Sequence, residues 1–332
     1  VAASSHSSNQ VIDPDSPMRA FRYHAPAGKS LPRLEDVPVP TPAPGEVLVR
    51  VRCASLNPVD WKLADGKFHW LVKGGLPRTM GSDFSGEIAA VGAGVEGWAQ
   101  GEPVMGFIDP FARALGTFAE FVSVPVEFVF RRPPPLDEVL GAALPCIGVT
   151  AVALCDLGQV SRGSRVLVNG ASGGVGHMAV QVAKARGAHV TAVASARRRP
   201  FVTALGADAF IDYEAEPVDR WPAGYDAVLD CVPNLPRGRH GGLLVRGGHY
   251  ASTLPNAWTY TLDPLLNRLG RLARHAVMLR PSEPAMDELL GGWGAGRLRC
   301  EIAEEFPLDE VADAIERSRT GRVAGKLVIR VA

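Results

Sequence analysis

The sequence predicts an α/β protein in two parts. A compact, mostly antiparallel β domain of barrel-like type takes residues 18–138, and residues 281–332 return to it; a doubly wound parallel-sheet domain takes 139–280. Three observations predict this. From Met18 to about residue 130 the apolar runs are short, β-branched and divided by Gly and Pro, as in many short strands joined by turns. Beyond Pro133-Pro134-Pro135, strand-like and helical runs alternate, which places helices on both faces of a parallel sheet. Within that half, Gly170-Ala171-Ser172-Gly173-Gly174-Val175-Gly176 links a strand to a helix.

The elements follow in chain order. Residues 1–17 are polar, lack an apolar stretch and read as a disordered leader. Strands are expected in MRAFRYH from Met18, EVLVRVRCASL from Glu46, FSGEIAAVG from Phe84, EPVMGF from Glu102 and TFAEFVSV from Thr117. The triple proline marks a hinge. Asp137–Leu157 reads as a helix, Arg165–Asn169 as a strand, Val175–Arg186 as a helix and His189–Ser195 as a second strand before another helix. AFIDY, YDAVLDCV and LLVRGGHY supply further strands. Only CVPNLPRGRH separates Asp230 from Gly241, whereas a parallel crossover usually takes a dozen or more residues, so a loop or single turn is expected there. A helix near 283–291, the helix Leu308–Arg319 and the strand KLVIRV close the chain.

Composition removes several function classes. Lys+Arg and Asp+Glu balance at 35 each, so no electrostatic reason exists to expect nucleic acid or an anionic membrane as partner. At 46% hydrophobic and 21% charged, the chain can build a sizeable core. The longest apolar stretch, Leu140–Leu154, is broken by Pro145 and falls short of the roughly 20 residues a membrane span needs. No membrane is expected, and the cytoplasm is the expected location. The five cysteines are scattered and form no C-x-x-C pair, which argues against a disulfide framework or a zinc knuckle. Six lysines among 35 basic residues, with Val as the first residue, point to a GC-rich bacterial gene.

The turn from Gly170 to Gly176 has the form G-x-x-G-x-x-G. A glycine turn between strand and helix lets backbone approach a pyrophosphate, whose charge meets free N–H groups and the positive helix end. Gly170, Ser172, Gly173, Gly174, Val175 and Gly176 are therefore candidate cofactor contacts; the alternative is an ordinary glycine turn. The second strand ends in Ser195-Ala196-Arg197-Arg198-Arg199. An NAD site usually carries Asp or Glu at that place. A hydroxyl followed by guanidinium groups instead suits a 2′-phosphate, so NADPH is the expected cofactor, with Ser195, Arg197 and Arg198 as its contacts. The alternative is a solvated basic start to a helix.

From Met18 onward the chain resembles the zinc-free quinone oxidoreductase branch of the medium-chain dehydrogenase/reductases. The resemblance rests on MRAFRYHAPAG, ASLNPVDWK, GSDFSGEIAAVG, AALPCIGVTA, the glycine turn with AVQVAKARGAHV, LGADAFIDY and AGKLVIRV, in that order and spacing. It implies a GroES-like catalytic domain, a Rossmann domain and an NADPH cleft between them. It also implies Ser195 and Arg198 at the 2′-phosphate with Tyr213 packing nearby, Thr150 close to the nicotinamide, and a homodimer formed through the Rossmann sheets. Zinc alcohol dehydrogenases of this superfamily carry Cys where Asn57 stands and His-Glu where Ser82-Asp83 stands. A catalytic zinc needs three protein ligands, and Asp83 is one at most, so no metal is expected.

Without a metal, the accessible chemistry is hydride transfer to an electron-poor alkene or quinone, with the protein aligning the reactants and stabilising charge on the carbonyl oxygen. Asn57, Asp60 and Lys62 are the catalytic candidates: an amide or ammonium to hold an enolate oxygen, and a carboxylate to orient its neighbours or the nicotinamide ribose. The alternatives are turn capping for Asn57 and Asp60 and a solvent-facing Lys62. Lys326 is a candidate for reaching the cofactor cleft, or else a surface charge at a strand start. His249 and Tyr250 are placed at the carboxyl edge of the sheet as candidate contacts to nicotinamide or substrate, His249 as a cofactor contact and Tyr250 as a proton donor; core or loop packing is their alternative. Trp61, Phe68, Trp70, Phe107, Phe111, Trp258 and Tyr260 are candidates for lining a pocket for an apolar or polycyclic unsaturated carbonyl substrate. The leading expectation is an NADPH-dependent, zinc-independent reductase of an α,β-unsaturated carbonyl or quinone, in bacterial secondary metabolism. Its alternatives are a reductive cyclase of a polyene or polycyclic product, a zinc-independent alcohol dehydrogenase, and a catalytically silent NADPH-binding regulator or scaffold.

Overall fold

The structure is a computed structural model that describes residues 16–26, 31–68, 71–254, 263–267 and 273–332. The expected leader, apart from its last two residues, and Trp70, Trp258 and Tyr260 lie outside the described residues.

The β-rich part is a seven-stranded sheet. Its central strand β3 (Glu46–Leu56) pairs antiparallel with β5 (Asp83–Val91), β7 (Phe121–Pro125) and β16 (Lys326–Arg330). β6 (Pro103–Phe107) and β8 (Val129–Arg131) extend it beyond β5, and β15 (Ile302–Pro307) runs parallel to β16 at the other edge. β3 is buried on both faces, which accounts for its nearly continuous apolar run. Val47, Val49 and Val51 join Phe84 and Ile88 in one core, while Leu48 turns to Met18 and Ala20 in another. Pairing of Leu327 with Leu56 sets the register of the C-terminal strand and brings Lys326 alongside the end of β3. A small sheet of β1 (Pro17–Tyr23), β2 (Arg33–Pro38) and β4 (Arg78–Thr79) accompanies this part.

The second part is a six-stranded parallel sheet in the spatial order β11-β10-β9-β12-β13-β14. These strands are β9 (Arg165–Asn169), β10 (His189–Ala194), β11 (Ala209–Asp212), β12 (Tyr225–Asp230), β13 (Leu244–Ser252) and β14 (Ala273–Ala276). Counted from β9 the order is 3-2-1-4-5-6, that of a Rossmann domain, and it confirms the expected doubly wound fold. Residues alternate across it: Val166 and Val168 enter the core beneath the helices, while Leu167 enters the opposite one with Val193 and Val228.

Helix α2 (Glu138–Leu157) joins the two parts. Asp137 caps it, accepting a hydrogen bond from the Leu140 N–H at 2.8 Å. It packs on β3, β5 and β6 on one side and on helix α3 (Gly174–Ala185) on the other. A helix enclosed in this way must be apolar all round. At 20 residues it is long and apolar enough to cross a membrane, yet most of it is buried inside the fold. The helix Glu283–Gly294 also packs on α2, with Met286 and Leu289 in the same core as Val166 and Val168.

Two details differ from the sequence expectation or sharpen it. The strand expected in LLVRGGHY runs two residues further, to Ser252, and a register shift beside Tyr225 absorbs the Gly247-Gly248 pair within β13. The short crossover holds a 3-10 turn, Arg237–Arg239, followed by the four-residue helix His240–Leu243.

Candidate active site

The head of α3 supplies the first component. Gly170 has φ +74°, a backbone state that favours glycine, and a Cβ on Gly176 would lie 2.0 Å from the Gly170 carbonyl oxygen. The turn is thus closed by a contact that admits no side chain. Gly173 is the N-cap and makes no side-chain cap; helical hydrogen bonding begins with the His177 N–H donating to the Gly173 carbonyl at 2.9 Å. The N–H groups of the first turn before it lie outside the helical ladder, and Ser172 to Val175 are partly exposed. This cradle fits a dinucleotide pyrophosphate.

The second component lies at the end of β10. Ser195 is buried, and the Arg198 N–H donates to its carbonyl at 2.8 Å. The Tyr213 N–H donates to the Ala194 carbonyl at 3.4 Å, which sets the half-exposed Tyr213 ring next to the same segment. The Arg198 side chain donates to the Arg322 carbonyl at 2.8 Å, and Arg197 is exposed. Among the described residues no carboxylate pairs with Arg197 or Arg198, so these guanidinium groups are open to an anion. The Arg322 carbonyl that holds Arg198 is 124 positions away in the chain and belongs to no motif, so this contact was not legible in the sequence.

The third component is a buried polar cluster at the start of helix α1 (Pro58–Ala64). Asn57 is the N-cap, and its N–H donates to Asp60 Oδ2 at 2.7 Å. The Ser82 hydroxyl donates to Asp60 Oδ1 at 2.5 Å. Burial raises the Asp60 carboxyl to about 7. Asp83, completely buried on β5, accepts from the Ser55 hydroxyl at 2.8 Å, from Asn57 Nδ2 at 2.7 Å and from the Cys146 N–H at 3.0 Å. The last contact comes from inside α2, where the amide just after Pro145 donates to the carboxylate. Lys326 completes the cluster. Its ammonium donates to the Leu56 carbonyl at 3.0 Å, Asn57 Oδ1 at 2.8 Å and Asp83 Oδ2 at 3.4 Å. Burial pushes the Asp83 carboxyl up, against the opposing pull of the Lys326 charge.

Several candidates are placed differently from expectation. Lys326 is 3% exposed, and its three ammonium protons are spent within the cluster. Its aliphatic stem lies against the glycine turn, with Cδ 3.3 Å from where a Gly174 Cβ would be. Its ammonium is engaged with Asn57 and Asp83, because a buried ammonium must be paired and fully hydrogen-bonded. Tyr250 is not free to act as a proton donor. It lies within β13, its hydroxyl donates to Asp230 Oδ2 at 2.6 Å, its ring stacks on His240 at 3.6 Å, and burial beside that carboxylate pushes the phenol pKa up. His249 is also inside β13 and not at the carboxyl edge; it stacks on His275 at 5.8 Å. The edge is formed by Asn169, Asp230 and Ser252. Lys62 is outside the polar cluster, half-buried above the Trp61 ring at 5.5 Å, and burial lowers its pKa. Thr150 donates to the Cys146 carbonyl at 2.6 Å, one helical turn from the Asp83 contact. Phe107 is a core residue against Phe128, whereas Phe68 and Phe111 meet edge to face and are partly exposed.

The described residues contain no group of three or more His, Cys, Asp or Glu side chains placed to share a metal ion. Residues 43–134 match the family described as alcohol dehydrogenase GroES-like domain, and residues 205–329 match that described as zinc-binding dehydrogenase. A chloroplast envelope quinone oxidoreductase homolog of Arabidopsis thaliana is 32% identical, covering 94% of this chain and 98% of that one. The chain belongs to the medium-chain dehydrogenase/reductase superfamily, in its quinone oxidoreductase-like branch. A 2-methylene-furan-3-one reductase of Solanum lycopersicum is 31% identical over 99% of this chain and 82% of its own. The solved quinone oxidoreductase of Coxiella burnetii superimposes with a TM-score of 0.86 at 30% identity, over 95% of this chain and all of that one. The chain is an oxidoreductase of this superfamily, with its GroES-like and Rossmann-like domains.

Proposed function

We propose that this oxidoreductase is an NADPH-dependent, zinc-independent reductase of α,β-unsaturated carbonyl compounds or quinones. The observation that carries the reading is the position of Lys326. Its stem lies against Gly174 in the nucleotide turn, and its ammonium holds Asn57, so an amide donor is fixed beside the cofactor cradle. The names of the Arabidopsis and Solanum relatives, a quinone oxidoreductase homolog and a furanone reductase, support the substrate class.

When bound, NADPH would supply a hydride to the electron-poor carbon of the substrate, and the anion so formed would take its proton from water. The first-turn N–H groups of α3 would hold the pyrophosphate, with the helix dipole adding to the attraction. Ser195, Arg197 and Arg198 would hold the 2′-phosphate, with bidentate guanidinium bonds favouring it over a bare ribose hydroxyl. Asn57 keeps one amide N–H that donates to nothing among the described residues. That N–H meets the substrate carbonyl oxygen as negative charge grows there, in a buried setting where a fixed donor counts for more than in water. Lys62, on the same helix, adds a positive charge.

The test is oxidation of NADPH and NADH by a panel of quinones and enones, followed by loss of the reduced-nicotinamide absorbance. Turnover that prefers NADPH, and that falls about 100-fold in Asn57→Ala, is the expected result. Tight NADPH binding with no turnover across the panel would sink the reading and leave a silent nucleotide-binding protein.

A further inference from the structure

We infer that Lys326 and Asp83 are positioning residues that decide which end of the Asn57 amide faces the reaction. The inference rests on the reductase reading for its kinetic consequence and on geometry for the rest. An Asn side chain has two nearly isosteric orientations, one offering N–H and the other a carbonyl oxygen, and only its neighbours choose between them. Here both ends are claimed by opposite charges. The Lys326 ammonium, a donor with no accepting capacity, takes Oδ1 at 2.8 Å; the Asp83 carboxylate, an acceptor, takes Nδ2 at 2.7 Å. Reversing the amide would set N–H against ammonium and oxygen against carboxylate. The free group of Asn57 is therefore an N–H, the polarity a developing oxyanion requires.

The frame around the pair is equally committed. Ser55, on β3, donates its hydroxyl to Asp83, the Cys146 N–H of α2 takes the other carboxylate oxygen, and the Leu56 carbonyl takes a further Lys326 proton. On the helix side the Asn57 N–H is anchored on Asp60, which Ser82 holds in turn. The pair joins residues 243 positions apart and is buried at both members, 3% exposed for the Lys326 side chain and 0% for Asp83.

Removal of the ammonium undoes the choice. In Lys326→Met the stem over Gly174 is kept, but a lone buried Asp83 takes up a proton and becomes a donor toward Asn57, which favours the reversed amide. Two readouts test this. The first needs no substrate: side-chain amide resonances of 15N-Asn-labelled protein, with Asn57 assigned by loss of its signal in Asn57→Asp. The Asn57 amide protons are expected to move in Lys326→Met and to return toward wild-type positions in Lys326→Arg. Superimposable Asn57 signals in wild type and Lys326→Met would overturn the inference. The second is kinetic, with NADPH and 1,4-naphthoquinone or 2-cyclohexenone. In Lys326→Met, or in Lys326→Met/Asp83→Asn if the single variant does not fold, kcat is expected to fall at least tenfold while the NADPH Kd stays within about twofold. A folded variant with unchanged kcat, or one that loses NADPH affinity at unchanged kcat, would also overturn it. Absence of turnover in the wild type indicts the reductase reading alone, and the amide spectrum then still decides the orientation.

Discussion

Lys326 and Asn57 are 269 positions apart in the chain, and the ammonium of one donates to the side-chain oxygen of the other at 2.8 Å. The contact ties the last strand of the chain to the first helix of the β-rich part, next to the glycine turn of the Rossmann part. It makes the glycine turn and the buried polar cluster one structure.

Cofactor choice is expected to depend on Arg198. Fluorescence titration should show NADPH binding more tightly than NADH in the wild type. Arg198→Ala should weaken NADPH by roughly 10- to 100-fold, the loss of one or two charge-assisted bonds, and leave NADH unchanged. Equal affinities for both cofactors in the wild type would remove the basis for NADPH.

The glycine turn is expected to reject any side chain at Gly176. A Cβ there would sit 2.0 Å from the Gly170 carbonyl oxygen, so in Gly176→Ala the turn must open. Both cofactors should then bind at least about tenfold more weakly, with a stability loss on the order of 1–3 kcal/mol. Calorimetric titration beside thermal melting would separate the two effects.

Tyr250→Phe is expected to harm stability and not catalysis. The phenol is one of the donors to the fully buried Asp230, which also accepts from Asn169 Nδ2 at 2.8 Å. Deleting it leaves a buried acceptor short of a partner, at a cost of about 1–3 kcal/mol. Urea unfolding should register this loss while kcat stays within twofold. A collapse of kcat in the folded variant would return Tyr250 to the reaction.

The pH dependence of stability is expected to hide two opposing slopes. Asp60 is raised by burial from its ordinary 3.8 to about 7. Between those values the unfolded chain ionises and the folded one does not, so this carboxyl makes stability fall as pH rises, by roughly 4 kcal/mol in all. His177 works in the reverse direction. Burial lowers it from 6.5 to about 4, and its Nε2 accepts the Glu301 N–H at 3.2 Å. In that window the unfolded chain binds the extra proton, so this ring makes stability rise with pH, by roughly 3 kcal/mol. Urea midpoints of Asp60→Asn should therefore climb between pH 4 and 6.5 more steeply than those of the wild type. Parallel profiles would show that Asp60 is ionised throughout.

Local pattern alone was enough for the secondary elements and the nucleotide turn. The strand–turn–helix around Gly170–Gly176, the alternation beyond the triple proline and the apolar run of α2 each follow from spacing within some 20 residues. Ser195 and Arg198, proposed for the 2′-phosphate, were read in the same way, as neighbours at a strand end. The polar centre, by contrast, exists only once distant strands are paired. Lys326 at the start of a strand, Asp83 in DFSGEIAAV and Tyr250 in HYAS each look like isolated polar residues in sequence. The signal for Asp83 was there, a lone carboxylate heading a strand buried on both faces, but its partners were not. Burial of a charge is tolerable only with opposite charge and donors close by. Where those come from is set by strand register, which brings Lys326 beside Leu56 and Asp83 beside Ser55 across long stretches of chain.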